Sequence, residues 1–279
     1  MSPPPIVSPA QPAATAVPAE LGFATDLARR AGDLLMDRYE RVERISKKSA
    51  RDVVTEVDHL SEELILDAIR STYPDDAILA EESGEHHAVA GAAPPGEGRT
   101  WVVDPLDGTI NYANGIPFFC VSIALVIRGE PAVGVVRDPT RDETFAATRD
   151  GVATRDGEPI RASDKDELSD FVVSMALSGR AVASRTRAVR RAIRVPRSMG
   201  AAALALSYVG NGRFDAFVQH GGLSVWDVAA AGLIAERAGA IVTDMAGGRW
   251  FSLRGSAKSI GIVAAPGPHH AALLELVRG

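Results

Sequence analysis

The stretch that decides the fold is WVVDPLDGTINY, residues 101–112. It continues an apolar strand and then places two aspartates, Asp104 and Asp107, three positions apart with a proline between them. A turn would use the Asp-Gly pair, but a turn does not explain why a second carboxylate stands beside that pair. The stretch therefore predicts a place where the chain holds a bound group.

Three other places in the sequence also put carboxylates where an apolar element begins or ends. They are Asp58 after DVVTEV, Glu81 and Glu82 after AILA, and Asp227 in VWDVAA. Two like charges about 4 Å apart repel by roughly 4 kcal/mol at an effective dielectric constant near 20. Because no Cys/His cluster is available for zinc, hard divalent cations with oxygen ligands are the natural way to neutralise such acids.

Each of these carboxylates also has a purely local interpretation. Thr55 and Asp58 are three apart ahead of an apolar helix, which is typical of a capping box. Glu81 and its neighbour could form a charged turn after a strand, and Asp227 could be a first-turn acid that the helix dipole stabilises. From these residues alone, both interpretations stay open.

The small residues Gly108 and Thr109 add a second kind of signal. They open a short helix, whose outward-pointing backbone N–H groups attract an anion such as phosphate. Carboxylates for a cation beside amides for a phosphate indicate metal-assisted hydrolysis of a phosphate ester.

Periodicity predicts a mixed α+β or α/β fold. An antiparallel meander is expected at 119–128, 131–137 and 143–148, and an alternating α/β pattern follows residue 165. We expect a disordered Pro/Ala-rich tail over 1–19 and one phosphatase domain over 20–279, whose lobes, about 20–165 and 166–279, pack intimately. The other predicted elements are helices at 21–42, 59–74, 182–192, 200–212, 226–239 and 269–278 and strands at 77–80, 100–103, 171–176, 215–218, 240–244 and 259–265.

The bulk composition favours a small-molecule enzyme. The chain has 279 residues, 46% of them hydrophobic, and a net charge of −6. The net negative charge argues against nucleic acid as a partner. No apolar window is long enough to suggest a membrane span. The single cysteine, Cys120, cannot form an internal disulfide, which suits a reducing cytoplasm, and it is expected to be a small buried hydrophobe.

Taken together, the motifs resemble the inositol monophosphatase family, part of the magnesium-dependent, lithium-sensitive phosphatase superfamily. The resemblance implies a layered αβαβα fold, dependence on two or three Mg²⁺ ions per active site, sensitivity to lithium and a homodimer. The motifs that carry it are DVVTEVD (52–58), AEES (80–83), WVVDPLDGTINY (101–112), RSMGAAAL (197–204) and VWDVAAAGLIAERAG (225–239).

The resemblance also implies roles for the carboxylates. The first metal would be held by Glu81, Asp104 and the carbonyl of Leu106, and the second by Asp104, Asp107 and Asp227. Glu81 would also serve a weaker third ion. Asp58 and Thr109 would orient the attacking water.

The substrate contacts that the resemblance implies lie on both sides of these acids. The amides of Gly108 and Thr109 would receive the phosphate, beside Asp107. Lys47 would approach it from a loop above the site. Gly200 and Ala202 would lie against the alcohol portion of the substrate.

One position departs from the pattern of the family's inositol-selective members. His220 stands about seven residues before Asp227, where many of those members carry a glutamate. A neutral imidazole has one donor and one acceptor, whereas a carboxylate accepts hydrogen bonds from sugar hydroxyls.

From the motifs and the resemblance together, we expect a magnesium-dependent phosphomonoesterase acting on a small phosphorylated metabolite, with myo-inositol 1-phosphate as first choice. The alternatives are histidinol phosphate, fructose 1,6-bisphosphate, a 3′-phosphoadenosine nucleotide, and a non-catalytic role beside the transcription machinery.

Overall fold

The computed structural model describes residues 17–41, 45–49, 52–86, 98–177, 183–253 and 259–279. Within these ranges the chain forms five layers, in the order helices, sheet, helices, sheet, helices. The layered αβαβα fold predicted from the sequence is therefore confirmed. None of the described helices is both long and apolar enough to cross a membrane.

The first layer consists of α1 (Pro18–Arg38) and α2 (Glu56–Thr72). Their apolar residues recur at helical spacing and bury one face against the first sheet. The helix predicted at 59–74 begins three residues earlier than expected because Thr55 caps it, accepting from the backbone N–H of Val57.

The second layer is an eight-stranded sheet in the order β10-β9-β8-β7-β6-β5-β3-β4. Its central strands β6, β7 and β8 form the predicted antiparallel meander, whereas β3 runs parallel to β5. The strands are β3 (Ala77–Ala80), β4 (Gly84–His86), β5 (Arg99–Asp107), β6 (Cys120–Ile127), β7 (Glu130–Asp138), β8 (Glu143–Thr148), β9 (Thr154–Arg155) and β10 (Glu158–Pro159).

The middle layer holds α5 (Ala202–Val209) and α6 (Val225–Arg237), which are buried between the two sheets. Both helices are rich in alanine, so their backbones approach the sheets closely. A Cβ atom built on Gly134 of β7 would lie 2.7 Å from the carbonyl oxygen of Ala230, so only glycine fits at this crossing.

The fourth and fifth layers complete the molecule. A five-stranded sheet has the order β12-β11-β13-β15-β14, and α4 (Ala183–Ala192) and α7 (Gly267–Arg278) cover its outer face. The strands are β11 (Val172–Ala176), β12 (Val195–Arg197), β13 (Ala216–Leu223), β14 (Ala240–Asp244) and β15 (Ile260–Pro266).

Two features of the first lobe differ from the sequence-based expectation. The segment after α1, predicted only as a break, contains a hairpin of β1 (Ile45–Ser49) and β2 (Asp52–Thr55). Residues 1–16 of the predicted tail lie outside the described residues, and the last two tail residues, Pro18 and Ala19, belong to α1. Proline is tolerated there because the first N–H groups of a helix have no intrahelical acceptor.

Candidate active site

Strand β5 brings two carboxylates to one place because it contains a β-bulge. Asp104 pairs with Ser122 and Asp107 pairs with Cys120, so three steps along β5 match two steps along β6. Residues three apart in a regular strand point to opposite faces, and the extra residue of a bulge restores them to the same side. Pro105 lies inside the bulge, where the ladder is interrupted and its missing N–H removes no bond.

The third carboxylate comes from the start of α6. Asp227 lies in the first turn of this helix, and the backbone N–H of Ser224 donates to its Oδ2 at 2.6 Å. The helix packs across β5, β6 and β7. Its N-terminus therefore places Asp227 at the bulge of β5.

The three side chains form one acidic cluster, defined here as Asp104, Asp107 and Asp227. One carboxylate oxygen of each lies within 4.8 Å of the others. Asp104 and Asp107 are buried, and Asp227 is partly buried. Glu81 follows β3, its backbone N–H bonded to the carbonyl of Val103, and it faces the same cavity. These acids, distant in the chain, thus meet in space.

Burial and mutual repulsion raise the pKa values of the acidic cluster. The pKa of Asp104 lies well above its usual range because the carboxyl is buried and the charges of Glu81, Asp107 and Asp227 surround it. Burial likewise raises the pKa of Asp227, and the charge of Asp107 adds to the effect. Without a counter-charge, the ionised form of these groups is therefore disfavoured.

Asp107 has partners that partly offset its burial. Its Oδ2 accepts from the backbone N–H of Ala203 at 2.7 Å, at the start of α5, and the thiol of Cys120 lies 3.7 Å away. Burial raises the pKa of Asp107 to about 6, and the helix amides limit the rise. Cys120 is itself fully buried, which raises the pKa of its thiol. The expectation of a buried, hydrophobe-like cysteine is confirmed.

Asp58 is both a helix-capping residue and a residue of the site, the two interpretations that the sequence allowed. Its Oδ2 accepts from the backbone N–H and hydroxyl of Thr55 at 2.8 and 2.6 Å, which completes the capping box of α2. Its Oδ1 accepts from the hydroxyl of Thr109 at 2.9 Å, and the same hydroxyl lies 3.1 Å from the carbonyl of Leu106. The cap thus fixes a carboxylate whose second oxygen points toward the site.

Gly108 and Thr109 start the short helix α3 (Thr109–Ala113) as predicted. Gly108 adopts a φ of +94°, and a Cβ atom there would lie 3.1 Å from the carbonyl oxygen of Phe118, so glycine is required. Asn111 then donates from Nδ2 to the carbonyls of Phe118 and Met199, both at 2.7 Å. These bonds tie the loop after β5 to the segment before α5.

A cavity of about 300 Å³ opens above the acidic cluster. Its acidic end is formed by β5, β3 and α6, and its other end by β11, β13 and the loop before α5. Nine of the predicted site residues line it: Glu81, Asp104, Leu106, Asp107, Gly108, Thr109, Gly200, Ala202 and Asp227. Asp58 reaches it through Thr109.

Two predicted substrate contacts are not among these lining residues. His220 is exposed and does not line the cavity, whereas its neighbours Phe217 and Gln219 do, because alternate residues of β13 face opposite sides. Lys47 belongs to β1, but its side chain lies outside the part of the chain that the structure describes.

Several residues of the site were not predicted. Ser174, Ser198 and Gln219 supply neutral hydrogen-bonding groups at the end of the cavity away from the acids. Ser61 of α2 donates to the carbonyl of Pro105 at 2.9 Å and so supports the bulge. The alternation of β13 could have identified Gln219, but no local pattern marks the other three.

The donor set fits a hard divalent cation. Three carboxylates converge within 4.8 Å, and burial together with mutual repulsion raises their pKa values. Two positive charges would remove that repulsion, and oxygen ligands are those that Mg²⁺, Mn²⁺ and Ca²⁺ prefer. The described residues can therefore hold such a cation, and Leu106 lines the same cavity.

Comparison with known proteins agrees with this geometry. A Nus factor SuhB of Pseudomonas aeruginosa is 38% identical over 254 residues, covering 84% of this chain and 89% of the relative. A fructose-1,6-bisphosphatase/inositol-1-monophosphatase of Thermotoga maritima is 39% identical over 232 residues, covering 81% and 85%. The solved structure of a Thermotoga maritima IMPase superposes with a TM-score of 0.81 at 34% identity and covers 93% of this chain and 97% of its own.

The match to a family covers nearly the whole described chain. Residues 19–279 match the description "Inositol monophosphatase family". Because this match spans α1 to α7 and contains every residue of the acidic cluster, the chain belongs to the inositol monophosphatase family and is a phosphatase, a phosphoric monoester hydrolase.

Proposed function

We propose that this phosphatase depends on Mg²⁺ and hydrolyses the phosphate monoester of a small polyol, with myo-inositol 1-phosphate as first choice. The observation that carries the proposal is the acidic cluster in a 300 Å³ cavity whose remaining lining combines the neutral hydrogen-bonding groups of Ser174, Ser198 and Gln219 with apolar side chains and, among the described residues, no cation. This volume lies at the lower end of the range for small-molecule pockets, which suits a single ring with one phosphate.

The residues of the acidic end would share the metal and the phosphate. Asp104, Asp107 and Asp227, with Glu81 and the Leu106 carbonyl, would hold Mg²⁺, which when bound supplies positive charge to stabilise the phosphate's developing charge. Gly108 and Thr109 line the cavity, and their amides would donate to the phosphate oxygens.

Asp58 and Thr109 would orient the attacking water. The Thr109 hydroxyl donates to Asp58 at 2.9 Å, and its oxygen would then accept a hydrogen bond from the attacking water. Asp58 would then accept the proton that passes through Thr109. The capping box holds Asp58 in place for this role.

The neutral end favours a polyol over the other substrates. Ser174, Ser198 and Gln219 can donate to and accept from hydroxyl groups, and the described lining residues include no Lys, Arg or His. A second phosphate is normally bound by a cation such as arginine. The relative named as a fructose-1,6-bisphosphatase nevertheless makes the bisphosphate a necessary comparison.

A substrate panel tests the proposal. Initial rates at saturating Mg²⁺ would be compared for phosphates of inositol, glycerol and histidinol, for fructose 1,6-bisphosphate and for a 3′-phosphoadenosine nucleotide. We expect the highest kcat/KM for myo-inositol 1-phosphate and inhibition by lithium. A kcat/KM for histidinol phosphate or the bisphosphate far above that for inositol phosphate would overturn the polyol assignment.

Two further expectations from the sequence concern assembly and partners. We propose a homodimer in the cytoplasm, which sedimentation velocity of purified protein would test. The expectation that nucleic acid is not a partner receives no support, because several relatives carry the name Nus factor SuhB. The non-catalytic alternative is not favoured, since all predicted metal ligands line the cavity.

A further inference from the structure

One side of α2 carries three buried polar residues, called here the α2 polar face. They are Asp58, Ser61 and Glu62, at positions i, i+3 and i+4, a spacing that places side chains on one side of a helix. Their exposed fractions are 1%, 0% and 4%. Serine is mostly exposed in proteins, and glutamate is almost never fully buried without a partner. The burial of this face therefore requires a physical reason.

Packing of α2 does not supply that reason. The helix already buries apolar side chains against the first sheet, namely Val57, Ile65, Leu66 and Ile69. A buried polar group gains little net stability from its hydrogen bond and costs free energy when it is unpaired. The α2 polar face is better explained by the chain segments that its members hold.

Glu62 holds the segment that carries Glu81. Its Oε2 accepts from the backbone N–H of Glu82 at 2.9 Å. On the other side of the Glu81 Cα atom, the backbone N–H of Glu81 donates to the carbonyl of Val103 in β5 at 3.2 Å. Both planar peptide units that flank this Cα atom are therefore anchored, one to α2 and one to β5. The direction in which the Glu81 side chain leaves the backbone is fixed as a result.

Ser61 holds the β-bulge that carries Asp104. Its hydroxyl donates to the carbonyl of Pro105 at 2.9 Å. The N–H of the same peptide unit, which belongs to Leu106, donates to Oδ1 of Asp104 at 3.1 Å. Because a peptide unit is planar, these two bonds act on one rigid group. Ser61 thus restrains the group that orients the Asp104 carboxylate.

We propose that Ser61 and Glu62 are positioning residues that set the separation between Asp104 and Glu81. These two acids come from different strands, and both line the cavity, whereas Ser61 and Glu62 do not line it. Because Ser61 and Glu62 are adjacent on one rigid helix, their two contacts tie the ends of β3 and β5 to a common reference. The inference rests on the proposed metal dependence, in which both acids hold Mg²⁺.

Binding of Mn²⁺ tests this proposal without relying on turnover, because the free ion is counted by its electron paramagnetic resonance signal. Glu62→Met is similar in size but has no acceptor for the Glu82 amide, and it should weaken Mn²⁺ binding about tenfold or more. Glu62→Gln loses the same charge but keeps a carbonyl acceptor, so it should bind Mn²⁺ within about threefold of the native chain. Equal losses in the two variants would show that charge alone matters and would overturn the positioning role.

Glu63→Met is the matched control. Glu63 is the next residue of α2 and is exposed, so the variant makes the same chemical change on the same helix. We expect its affinity for Mn²⁺ to equal that of the native chain, and circular dichroism in EDTA verifies that each variant is folded. A Glu62→Met variant that binds Mn²⁺ as well as Glu63→Met does would overturn the proposal.

A double-mutant cycle with Glu81→Gln separates positioning from a general structural effect. If Glu62 acts through Glu81, adding Glu62→Met to Glu81→Gln should weaken Mn²⁺ binding by less than about twofold further. A further loss as large as that of Glu62→Met alone would show that Glu62 acts independently of Glu81, which contradicts the proposal.

Ser61→Ala tests the second contact, and it does so even if Glu62→Met fails to fold. Loss of the hydroxyl should weaken Mn²⁺ binding about tenfold. Ser207→Ala is the control, because the Ser207 hydroxyl is buried in α5 and has no hydrogen-bond partner among the described residues. Equal affinities of the two alanine variants would overturn the role of Ser61. Full hydrolysis by the native chain in EDTA, with no Mn²⁺ bound, would instead contradict the metal dependence on which the inference rests.

Discussion

The clustered carboxylates each have a local partner as well as the predicted metal role. Asp107 accepts from the Ala203 amide at the start of α5, Asp227 accepts from the Ser224 amide, and Asp104 accepts from the Leu106 amide at 3.1 Å. Two of the local interpretations suggested by the sequence, the capping box and the first-turn acid, are thus confirmed. The sequence could not show that one carboxylate caps a helix and also belongs to the site. That depends on where the second oxygen of each carboxylate points, which only the fold decides.

The repulsion within the acidic cluster leads to a prediction for Asp104→Asn. The variant keeps the size and the acceptor for the Leu106 amide but removes one charge. We expect kcat to fall by about 100-fold or more. Unfolding free energy measured in EDTA near neutral pH should stay equal or rise by about 1 kcal/mol, because a buried repulsion is relieved. Near-normal turnover would remove Asp104 from the site.

Asp138→Asn provides the matched control for a buried aspartate. Asp138 is buried but is not a member of the cluster, and it accepts from the Tyr208 hydroxyl, the Thr140 hydroxyl and the Thr140 and Arg141 amides. Its charge is stabilised by these donors, so we expect the variant to lose about 1–3 kcal/mol of unfolding free energy. A gain in stability for both variants would show that repulsion within the cluster is not the cause.

The contact between Thr109 and Asp58 yields a second residue-scale prediction. Thr109→Val keeps the shape but removes the hydroxyl that donates to Asp58, so kcat should fall by about 10²–10⁴-fold with little change in KM. Thr109→Ser retains the hydroxyl and should restore most of the rate. If the Val and Ser variants have equal rates, the hydroxyl does not take part in the reaction.

At the scale of elements, periodicity predicted the helices and central strands but missed the irregularities that decide which way side chains point. The β-bulge at Pro105 decides that Asp104 and Asp107 share a side, and a bulge depends on pairing with β6, which no local pattern shows. The hairpin β1–β2 was missed because its polar residues do not alternate with apolar ones. His220 was chosen by its distance from Asp227, whereas the alternation of β13 turns Gln219 into the cavity.

The close crossing of α6 over β7 gives a prediction for Gly134→Ala. Its added Cβ would meet the Ala230 backbone one turn after Asp227, so the helix must shift. We expect a loss of about 1–3 kcal/mol in unfolding free energy and a reduced kcat, because Asp227 moves with the helix. Gly22→Ala is the control: this α1 glycine is exposed with nothing within 4 Å, and the change should stabilise by about 0.5–1 kcal/mol. Unchanged stability of Gly134→Ala would mean that the two elements do not constrain each other.

At the scale of the whole molecule, composition predicted the class of protein better than it predicted the distribution of charge on the surface. The alternation of elements and the apolar content were sufficient for a mixed α/β class, because they report on burial, whereas the layered αβαβα arrangement was predicted from the resemblance of the motifs to a known family. The net charge of −6 argued against a basic face, yet Arg187, Arg190 and Arg191 lie exposed on one face of α4. A sum over the chain cannot report where charges lie, since the fold decides which of them share a surface.

The raised pKa of Asp107 predicts how metal-free stability depends on pH. Its pKa rises to about 6 in the folded protein from a reference value of 3.8, so folding favours the protonated form. This contribution is fully present below about pH 4 and is lost as pH rises through 6, which amounts to about 3 kcal/mol. In EDTA, the unfolding free energy of the native chain relative to Asp107→Asn should fall by this amount between about pH 4 and 7.

Urea denaturation at several pH values measures the difference in unfolding free energy between the native chain and Asp107→Asn. Saturating Mg²⁺ should abolish or reverse it above neutral pH, because the cation favours the ionised carboxylates. If the unfolding free energies of the native chain and Asp107→Asn differ by the same amount at every pH in EDTA, the predicted protonation of Asp107 is wrong.

The order in which the acids occur along the chain has a consequence for biosynthesis. Asp104 and Asp107 leave the ribosome long before Asp227, and α6 must dock between two sheets, one of which includes β15, made still later. A growing polypeptide therefore cannot complete its cation site until β15 has been synthesised. A product that terminates before β15 gains no stabilisation from the ion and is more exposed to proteolysis.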